Sequence, residues 1–504
     1  MSVQAVNISD NGLGEVGLVP YYTVRNGFDT NVSVVNTSNR YVAAFKIRFR
    51  EALNSRDARD FNVYLSPNDV WTATISVDPA TGIPFIQTAD TTCTAPWIGT
   101  NPNASFVEIG QTAEGLPIKR MNMTNIAWNG GTLEGNDAGP DGIERAQEGY
   151  IEIIEMGVAD PNASMLASWA VHGPGQNCSV LANTYNTTAA QAQHIFVTGS
   201  GMNCESNTPY LPGQVVTGNE AFRAEFCEPL NILKFSANLI QVTSGVAAEL
   251  PVTTLANFLN KPDGSENPNL PDGDDISDFP QFQTPNLESV RPARSLQIND
   301  GLFVQDDFNG IANNIAVDAV SSLLSSETVI NEYEFGGGAS GADFRTAWVV
   351  TFPTKHHYVD GLLRAPFENT FGVGGSCVTV DYGYYNREEL APATSGAVIP
   401  SPAPIQPVNV SVICAETQTL NPGGGNLFDS QRNYEIQLEP GYTSGWIRLG
   451  FPQAGSIVGD NGTVYTGLPT IGFSLKTTLG VFGNATPHSF ERNVSNVQSC
   501  NSCP

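Results

Sequence analysis

The first part of the chain is a run of short segments in which apolar and polar residues alternate. Between residues 13 and 80 five such segments follow one another, separated by turn sequences such as the SPND at 66–69. Alternation with a period of two, bounded by turn residues, is typical of β-strands. A second run of the same kind begins near residue 344. We therefore predict a mainly β protein with two β-sandwich modules of the Ig-like type, at residues 1–100 and 341–504.

The region between these modules, residues 101–340, has a mixed and loop-rich pattern. Its clearest helix is predicted at 313–327, where apolar residues recur at helical spacing on one stripe. Residues 261–296 are rich in Pro, Asp and Asn and show little periodicity, so they are predicted to form a long acidic loop.

Composition and charge narrow the class of protein. Among 504 residues there are 49 Gly and 33 Pro, which indicates many turns, and the formal net charge is −27. Nucleic acid is excluded as a partner on this basis, because binding to phosphates needs a basic surface. No run of 18 apolar residues occurs, so no transmembrane segment is predicted.

Cysteine usage indicates an oxidising compartment. The chain has eight cysteines in an even and widely scattered set. Such a set predicts disulfides rather than metal ligands, although the pairing stays open. We therefore expect a secreted or cell-surface protein.

The positive charge is concentrated on one predicted strand. Five of the 23 basic residues lie between positions 46 and 59, namely Lys46, Arg48, Arg50, Arg56 and Arg59. If the alternating Phe45, Ile47 and Phe49 pack inside a sandwich, the first three cations face outward. Two interpretations are open: a solvated face with local ion pairs, or an assembly contact. Such a contact would dock on the acidic surface of another copy, or on the phosphates of an envelope glycolipid.

Two acidic segments are candidates for a structural Ca²⁺ site. One contains Asp272, Asp274, Asp275 and Asp278, and the other contains Asp137 and Asp141. Carboxylate oxygens on a flexible loop suit Ca²⁺, but neither segment matches the EF-hand pattern. Bound calcium and solvated acidic turns therefore both remain open.

No catalytic residue is predicted. The sequence has no Gly-x-Ser-x-Gly elbow, no His-Glu-x-x-His, no phosphate-binding Gly-rich loop and only five histidines. A carboxylate pair of a glycoside hydrolase is spatial, and nothing in the sequence selects one. The tyrosine pairs Tyr21-Tyr22 and Tyr384-Tyr385 are candidates for stacking on a sugar.

Three blocks of the sequence carry a resemblance to a known group. Residues 14–71, residues 148–157 and the separated pieces of 330–389 resemble a mostly uncharacterised group of secreted, β-rich cell-surface proteins of Gram-negative bacteria. The group is associated with surface layers and extracellular matrix. The resemblance implies export to the cell surface, and it supplies no catalytic residues.

These observations favour a non-enzymatic, self-assembling extracellular structural protein. The expected partners are other copies of the chain, in a surface layer, a filament or a biofilm matrix. The first alternative is a calcium-dependent adhesin that binds glycans through aromatic side chains. The second is a secreted glycoside hydrolase.

Overall fold

The computed structural model describes residues 5–131, 136–184, 226, 229–259, 285–299, 301–311, 314–337, 343–392, 409–478 and 482–497. Strands hold about half of the described residues and helices less than a tenth, which confirms the prediction of a mainly β protein. The Ig-like type of the sandwiches stays a prediction.

The described residues of the first half of the chain form fifteen strands. In chain order they are β1 (Asn7–Ile8), β2 (Leu13–Gly14), β3 (Val16–Thr23), β4 (Asp29–Asn36), β5 (Val42–Glu51), β6 (Asp57–Leu65), β7 (Val70–Val77), β8 (Pro84–Thr88), β9 (Cys93–Ala95), β10 (Val107–Gln111), β11 (Pro117–Asn122), β12 (Glu148–Ala159), β13 (Leu233–Gln241), β14 (Val246–Leu250) and β15 (Thr253–Ala256).

The second half continues with shorter strands. They are β16 (Arg294–Asn299), β17 (Leu302–Asp307), β18 (Ser325–Ser326), β19 (Thr328–Glu334), β20 (Gly336–Gly337), β21 (Asp343–Thr351), β22 (Val378–Asn386), β23 (Asn409–Ile413), β24 (Thr417–Pro422), β25 (Asn433–Ile436), β26 (Ser444–Gly450), β27 (Ser456–Val458), β28 (Val464–Thr466), β29 (Leu468–Pro469), β30 (Ile471–Thr478), β31 (Phe482–Pro487), β32 (Ser489–Glu491) and β33 (Asn493–Ser495).

The helices among the described residues are few and short. They are α1 (Met165–Ala170), α2 (Cys178–Thr184), α3 (Asp318–Leu324) and α4 (His356–Val359), with 3₁₀ turns at Arg25–Gly27, Ile143–Gln147 and Leu287–Ser289. Helix α3 is buried along its whole length and is shorter than the predicted 313–327. Most of the predicted loop 261–296 lies outside the described residues, and β16 begins within its last three positions.

Two large sheets form the N-terminal sheet pair. The strand orders are β1-β15-β3-β12-β5-β6-β9 and β10-β11-β8-β7-β4-β13-β14, with β2 added to β13. Apolar side chains such as Phe45, Ile47, Phe49 and Trp71 fill the space between the sheets. Residues 148–256 of the predicted middle region therefore contribute four strands to these sheets.

Three neighbouring strands of the seven-stranded sheet are buried on both faces. Every residue of β3, β5 and β12 is buried. One face of this sheet packs in the core of the N-terminal sheet pair, while residues such as Leu18 and Ile154 on the other face join the core of the later half. A strand covered on both sides has no solvent-facing side chains, whatever its sequence pattern.

Two further sheets form the C-terminal sheet pair. Their strand orders are β25-β24-β21-β30-β31, with β20 on β21, and β23-β22-β26-β19-β32. On β21, Trp348 and Val350 lie in the core of this pair, whereas Ala347 and Val349 pack into the core of the N-terminal pair. The two sheet pairs therefore share one interface through β21.

Two disulfides lie among the described residues. Cys93 of β9 is bonded to Cys178 of α2, and Cys377 is bonded to Cys414. No free cysteine occurs among the described residues, and Cys204, Cys227, Cys500 and Cys503 lie outside them. No helix in the described part of the chain is long and apolar enough to cross a membrane.

Candidate functional site

The basic residues of β5 lie inside the protein. Lys46, Arg48 and Arg50 are 1%, 1% and 4% exposed. The expectation that they face solvent is therefore wrong. The alternation along the strand is real, with Phe45, Ile47 and Phe49 in the N-terminal core, but the opposite face of the sheet is covered as well.

Carboxylates from the two neighbouring strands compensate these cations. Arg48 lies directly opposite Glu152 on β12 and Asp60 on β6. Arg50 Nε is 3.2 Å from Glu152 Oε2, and Arg50 Nη1 is 3.1 Å from Asp57 Oδ1. Arg48 also pairs with Asp57, and Lys46 Nζ is 3.6 Å from Asp60 Oδ2. Positive and negative charges thus alternate across three strands, an arrangement we call the buried charge network.

Carbonyl oxygens from the later half of the chain complete the network. Arg48 Nη2 donates to the Pro285 carbonyl oxygen at 3.0 Å, and the Tyr150 hydroxyl donates to that of Pro353 at 2.9 Å. Burial raises the pKa of Asp60, while the adjacent Lys46 and Arg48 oppose that rise. The network is therefore a contact between the seven-stranded sheet and segments more than 200 residues away.

The other two basic residues of the predicted assembly contact are also engaged within the chain. Arg56 Nη2 is 2.9 Å from Asp360 Oδ2. Arg59 donates to the carbonyl oxygens of Asn122, at 2.8 Å, and Asn103, at 3.0 Å. The structure gives no support to the hypothesis that Lys46, Arg48, Arg50, Arg56 and Arg59 dock on another copy or on a glycolipid, because all five are engaged within the chain.

A second buried ion cluster contains one of the predicted calcium ligands. Arg145 donates to both carboxylate oxygens of Asp137, at 2.9 and 2.7 Å, and to both of Glu51, at 3.1 and 2.8 Å. Burial alone would raise the pKa of Asp137, but the hydrogen bonds and charge of Arg145 lower it below its usual value. Asp137 therefore serves an ion pair.

The rest of the calcium prediction is only partly within the described residues. Asp141 is exposed and accepts a hydrogen bond from the Asn136 amide at 3.2 Å. Asp272, Asp274, Asp275 and Asp278 lie outside the described residues. Within the ranges that the structure describes, no group of three or more His, Cys, Asp or Glu side chains is placed to hold a metal ion.

A third cluster contains groups of catalytic type. Ser55 Oγ donates to Glu416 Oε2 at 2.8 Å, and His356 Nδ1 is 3.9 Å from the same oxygen. Lys355 Nζ donates to the carbonyl oxygens of Ser376 and Ala415. Burial raises the pKa of Glu416 and lowers that of Lys355. Ser55, Lys355 and Glu416 are fully buried, so a substrate does not reach them in this structure.

Sequence reasoning did not find this cluster. Its members are scattered over some 360 positions, and the hydrogen bond from Ser55 to Glu416 joins its two ends. One signal in the sequence pointed to it. The chain has only six lysines, and one of them, Lys355, directly precedes the histidines at 356 and 357.

The candidate sugar-stacking tyrosines separate into buried and surface residues. Tyr21, Tyr22 and Tyr384 are buried. Tyr385 lies on the opposite face of β22 and stacks on Trp446 of β26, with ring centroids 4.4 Å apart and ring planes 14° apart. Beside them, Gly383 leaves open space above the sheet. We call Tyr385 and Trp446 the aromatic pair.

The hairpin formed by β16 and β17 exposes large apolar side chains. Ile298, Leu302 and Phe303 are 69%, 61% and 66% exposed, and Ile298 lies directly opposite Phe303 across the hairpin. In the described part of the chain no strand other than β16 pairs with β17, and on the other side of β17 the Asp307 carbonyl oxygen accepts from the Asp460 N–H at 2.8 Å. We call these three residues the hairpin tip.

Comparison with known proteins adds no assignment. No family model, no curated protein and no solved structure matches this chain. The resemblance to secreted cell-surface proteins therefore stays a prediction.

The buried charge network generates a test of stability. Replacing Glu152→Gln removes one charge and leaves Arg48 and Arg50 undercompensated in the interior. We expect a loss of about 3–5 kcal/mol in the free energy of unfolding, measured by urea denaturation. The matched control is Glu332→Gln, which removes an exposed ion pair with Lys476 and should cost less than about 1 kcal/mol. Equal losses in the two variants would contradict a structural role for the network.

A buried acid on β12 generates a pH-dependence test. Glu155 is fully buried next to Glu15, and burial followed by the charge of Glu15 raises its pKa well above the usual value. In the unfolded chain it ionises near pH 4.3, so the folded state binds the proton more tightly. Stability is therefore lost as pH rises above about 4 towards the raised pKa, by up to about 1.4 kcal/mol per pH unit.

The variant Glu155→Gln keeps this position neutral at every pH. We expect a smaller loss of unfolding free energy between pH 5 and pH 8 than in the wild type, measured by urea denaturation at each pH. Glu249→Gln, at an exposed position of β14, is the control and should follow the wild-type curve. A Glu155→Gln curve parallel to the wild type would show that this residue is not the source of the slope.

Proposed function

We propose that this protein is a non-enzymatic, self-associating extracellular structural protein, a subunit of a surface layer or filament. The observation that carries the proposal is the hairpin tip. Monomeric proteins rarely expose contiguous large apolar side chains, and such patches mark interaction sites. Ile298 and Phe303 lie opposite each other on one face of the hairpin, and Leu302, the residue before Phe303 on β17, is exposed on the other face.

The edge of β17 that pairs with no described strand favours a second copy of the chain as the partner. A strand edge with free backbone groups pairs readily with another strand. Two hairpins related by a two-fold axis would bring identical β17 edges together and place the two tips side by side. Edge pairing thus satisfies backbone groups and covers apolar surface in one contact.

Two features support an exported location. The disulfides Cys93–Cys178 and Cys377–Cys414 are typical of oxidising compartments. The resemblance to secreted proteins of Gram-negative bacteria favours the cell surface as the place of assembly. Calcium binding by Asp272, Asp274, Asp275 and Asp278 is part of the same proposal, because divalent cations would reduce the repulsion between copies that each carry a net charge of −27.

The variant Leu302→Ser/Phe303→Ser tests this contact. We expect the wild type to form oligomers or polymers in sedimentation velocity and negative-stain microscopy, with and without Ca²⁺, and the variant to sediment as a monomer. Val373→Ser, at an exposed position that is not part of the hairpin, is the control and should assemble like the wild type. A wild type that stays monomeric in both conditions would refute the function, whereas an assembling double variant would refute only this contact.

Glycan binding is a second candidate, and the aromatic pair favours it. Tyr385 and Trp446 stand on the outer face of a sheet, next to the open space above Gly383 and near the exposed Arg448. Aromatic rings stack on the apolar faces of sugars, and neighbouring charged groups bind hydroxyls.

A glycan array tests this second candidate. We expect Trp446→Ala to weaken the best glycan signal by about tenfold, because one ring of the stack is lost. The control is Val412→Ala, which shortens an exposed apolar side chain on the neighbouring strand β23 of the same sheet. A wild type that binds no glycan, or a Trp446→Ala variant that binds as well as the wild type, would exclude the aromatic pair as a sugar site.

A further inference from the structure

A cavity of about 290 Å³ lies where the N-terminal strands meet the C-terminal sheet pair. One part of its wall is apolar and includes Ile8, Val252, Leu324, Ile471 and Phe490, and another part carries the hydroxyl groups of Ser9, Thr253, Thr254 and Thr470. The size is near the lower end of the range usual for pockets that bind small molecules. One charged side chain, Arg492, lines it.

Arg492 has no partner among the described residues. It follows β32 and is partly buried, yet its guanidinium makes no hydrogen bond, ion pair or ring contact in the described part of the chain. The neighbouring Arg448, by contrast, is 2.9 Å from Glu491. Burial lowers the pKa of Arg492, and no charged neighbour contributes to that shift. An arginine without an acidic partner is unusual in a chain with 50 acidic and 23 basic residues.

An uncompensated guanidinium in such a place has a specific chemical preference. Its five N–H groups form a planar fork that matches two oxygens of an oxyanion. Arg492 is only partly exposed to water, and an anion bound to its guanidinium would supply hydrogen bonds that the protein itself does not provide.

We infer that this cavity binds a small organic carboxylate, with the carboxylate on Arg492 and an apolar body against Ile471 and Phe490. One guanidinium neutralises one charge, so a monoanion leaves no net charge in the cavity. A dianion such as phosphate would leave a negative charge there, inside a protein that is already strongly acidic. The apolar part of the wall, in turn, favours a ligand that has more than a charged group. The site is independent of the proposed self-association.

The test uses the full-length protein and 3-phenylpropanoate as the probe, at constant ionic strength. We expect saturable binding by titration calorimetry and a ligand-dependent rise in Tm. The neutral isostere 3-phenylpropanamide should bind at least about tenfold more weakly, because it cannot pair its charge with Arg492. Sodium sulfate should produce no comparable shift. A shift with sulfate and none with 3-phenylpropanoate would overturn the assignment of an apolar ligand.

Variants locate the binding to the guanidinium. Arg492→Gln should weaken 3-phenylpropanoate binding by at least about tenfold, and Arg492→Lys should lie between, since it keeps the charge but loses the fork. These variants should fold, because no described residue loses a hydrogen bond or an ion pair when Arg492 is replaced. Arg345→Gln, which removes the same charge at an exposed position, should bind like the wild type. Absence of binding by the wild type, or equal binding by Arg492→Gln, would refute the site.

Discussion

Arg48 and Arg50 are buried, and their positive charges must be compensated inside the protein. The rest of the structure depends on this constraint. A buried guanidinium is tolerated only when carboxylates and carbonyl oxygens surround it. Glu152 on β12 and Asp57 and Asp60 at the start of β6 meet this need from both sides. A shift of β12 by one residue would turn Glu152 into the apolar core and leave the arginines unpaired. The charges therefore specify the register of three central strands, in addition to any net stability they contribute.

The same constraint ties the two halves of the chain together. Without the later half of the chain, Arg48 and Tyr150 would lose their hydrogen bonds to the carbonyl oxygens of Pro285 and Pro353. Conversely, Ala347 and Val349 of β21 need the N-terminal core to cover them. Each sheet pair thus completes the other through one polar and one apolar contact. Such mutual dependence favours cooperative folding of both halves over independent modules.

The sequence predicted what depends on neighbours along the chain and missed what depends on distant segments. Alternation at 45–50 correctly placed Phe45, Ile47 and Phe49 in a core, because side chains on a strand alternate by geometry. The same alternation indicated that Lys46 faces solvent. This inference failed because the alternation carries no information about segments more than 200 residues away that cover the second face of the sheet. Asp137 shows a different limit. As an acid in a turn it suggested a calcium ligand, whereas its partner is Arg145, only eight residues further on, and residue types alone do not show which acid a nearby arginine binds.

The internal use of cations has a consequence for how copies of this protein could associate. Lys46, Arg48, Arg50 and Arg145 are buried with carboxylates, so the accessible surface keeps few basic groups to offset its acids. Copies then repel one another at long range, and added salt reduces this repulsion over distances of about 10 Å. Association by complementary charge, as the sequence first suggested, is thereby disfavoured. Contacts that are apolar, like those of the hairpin tip, or that recruit cations from solution, are the ones that such a surface allows.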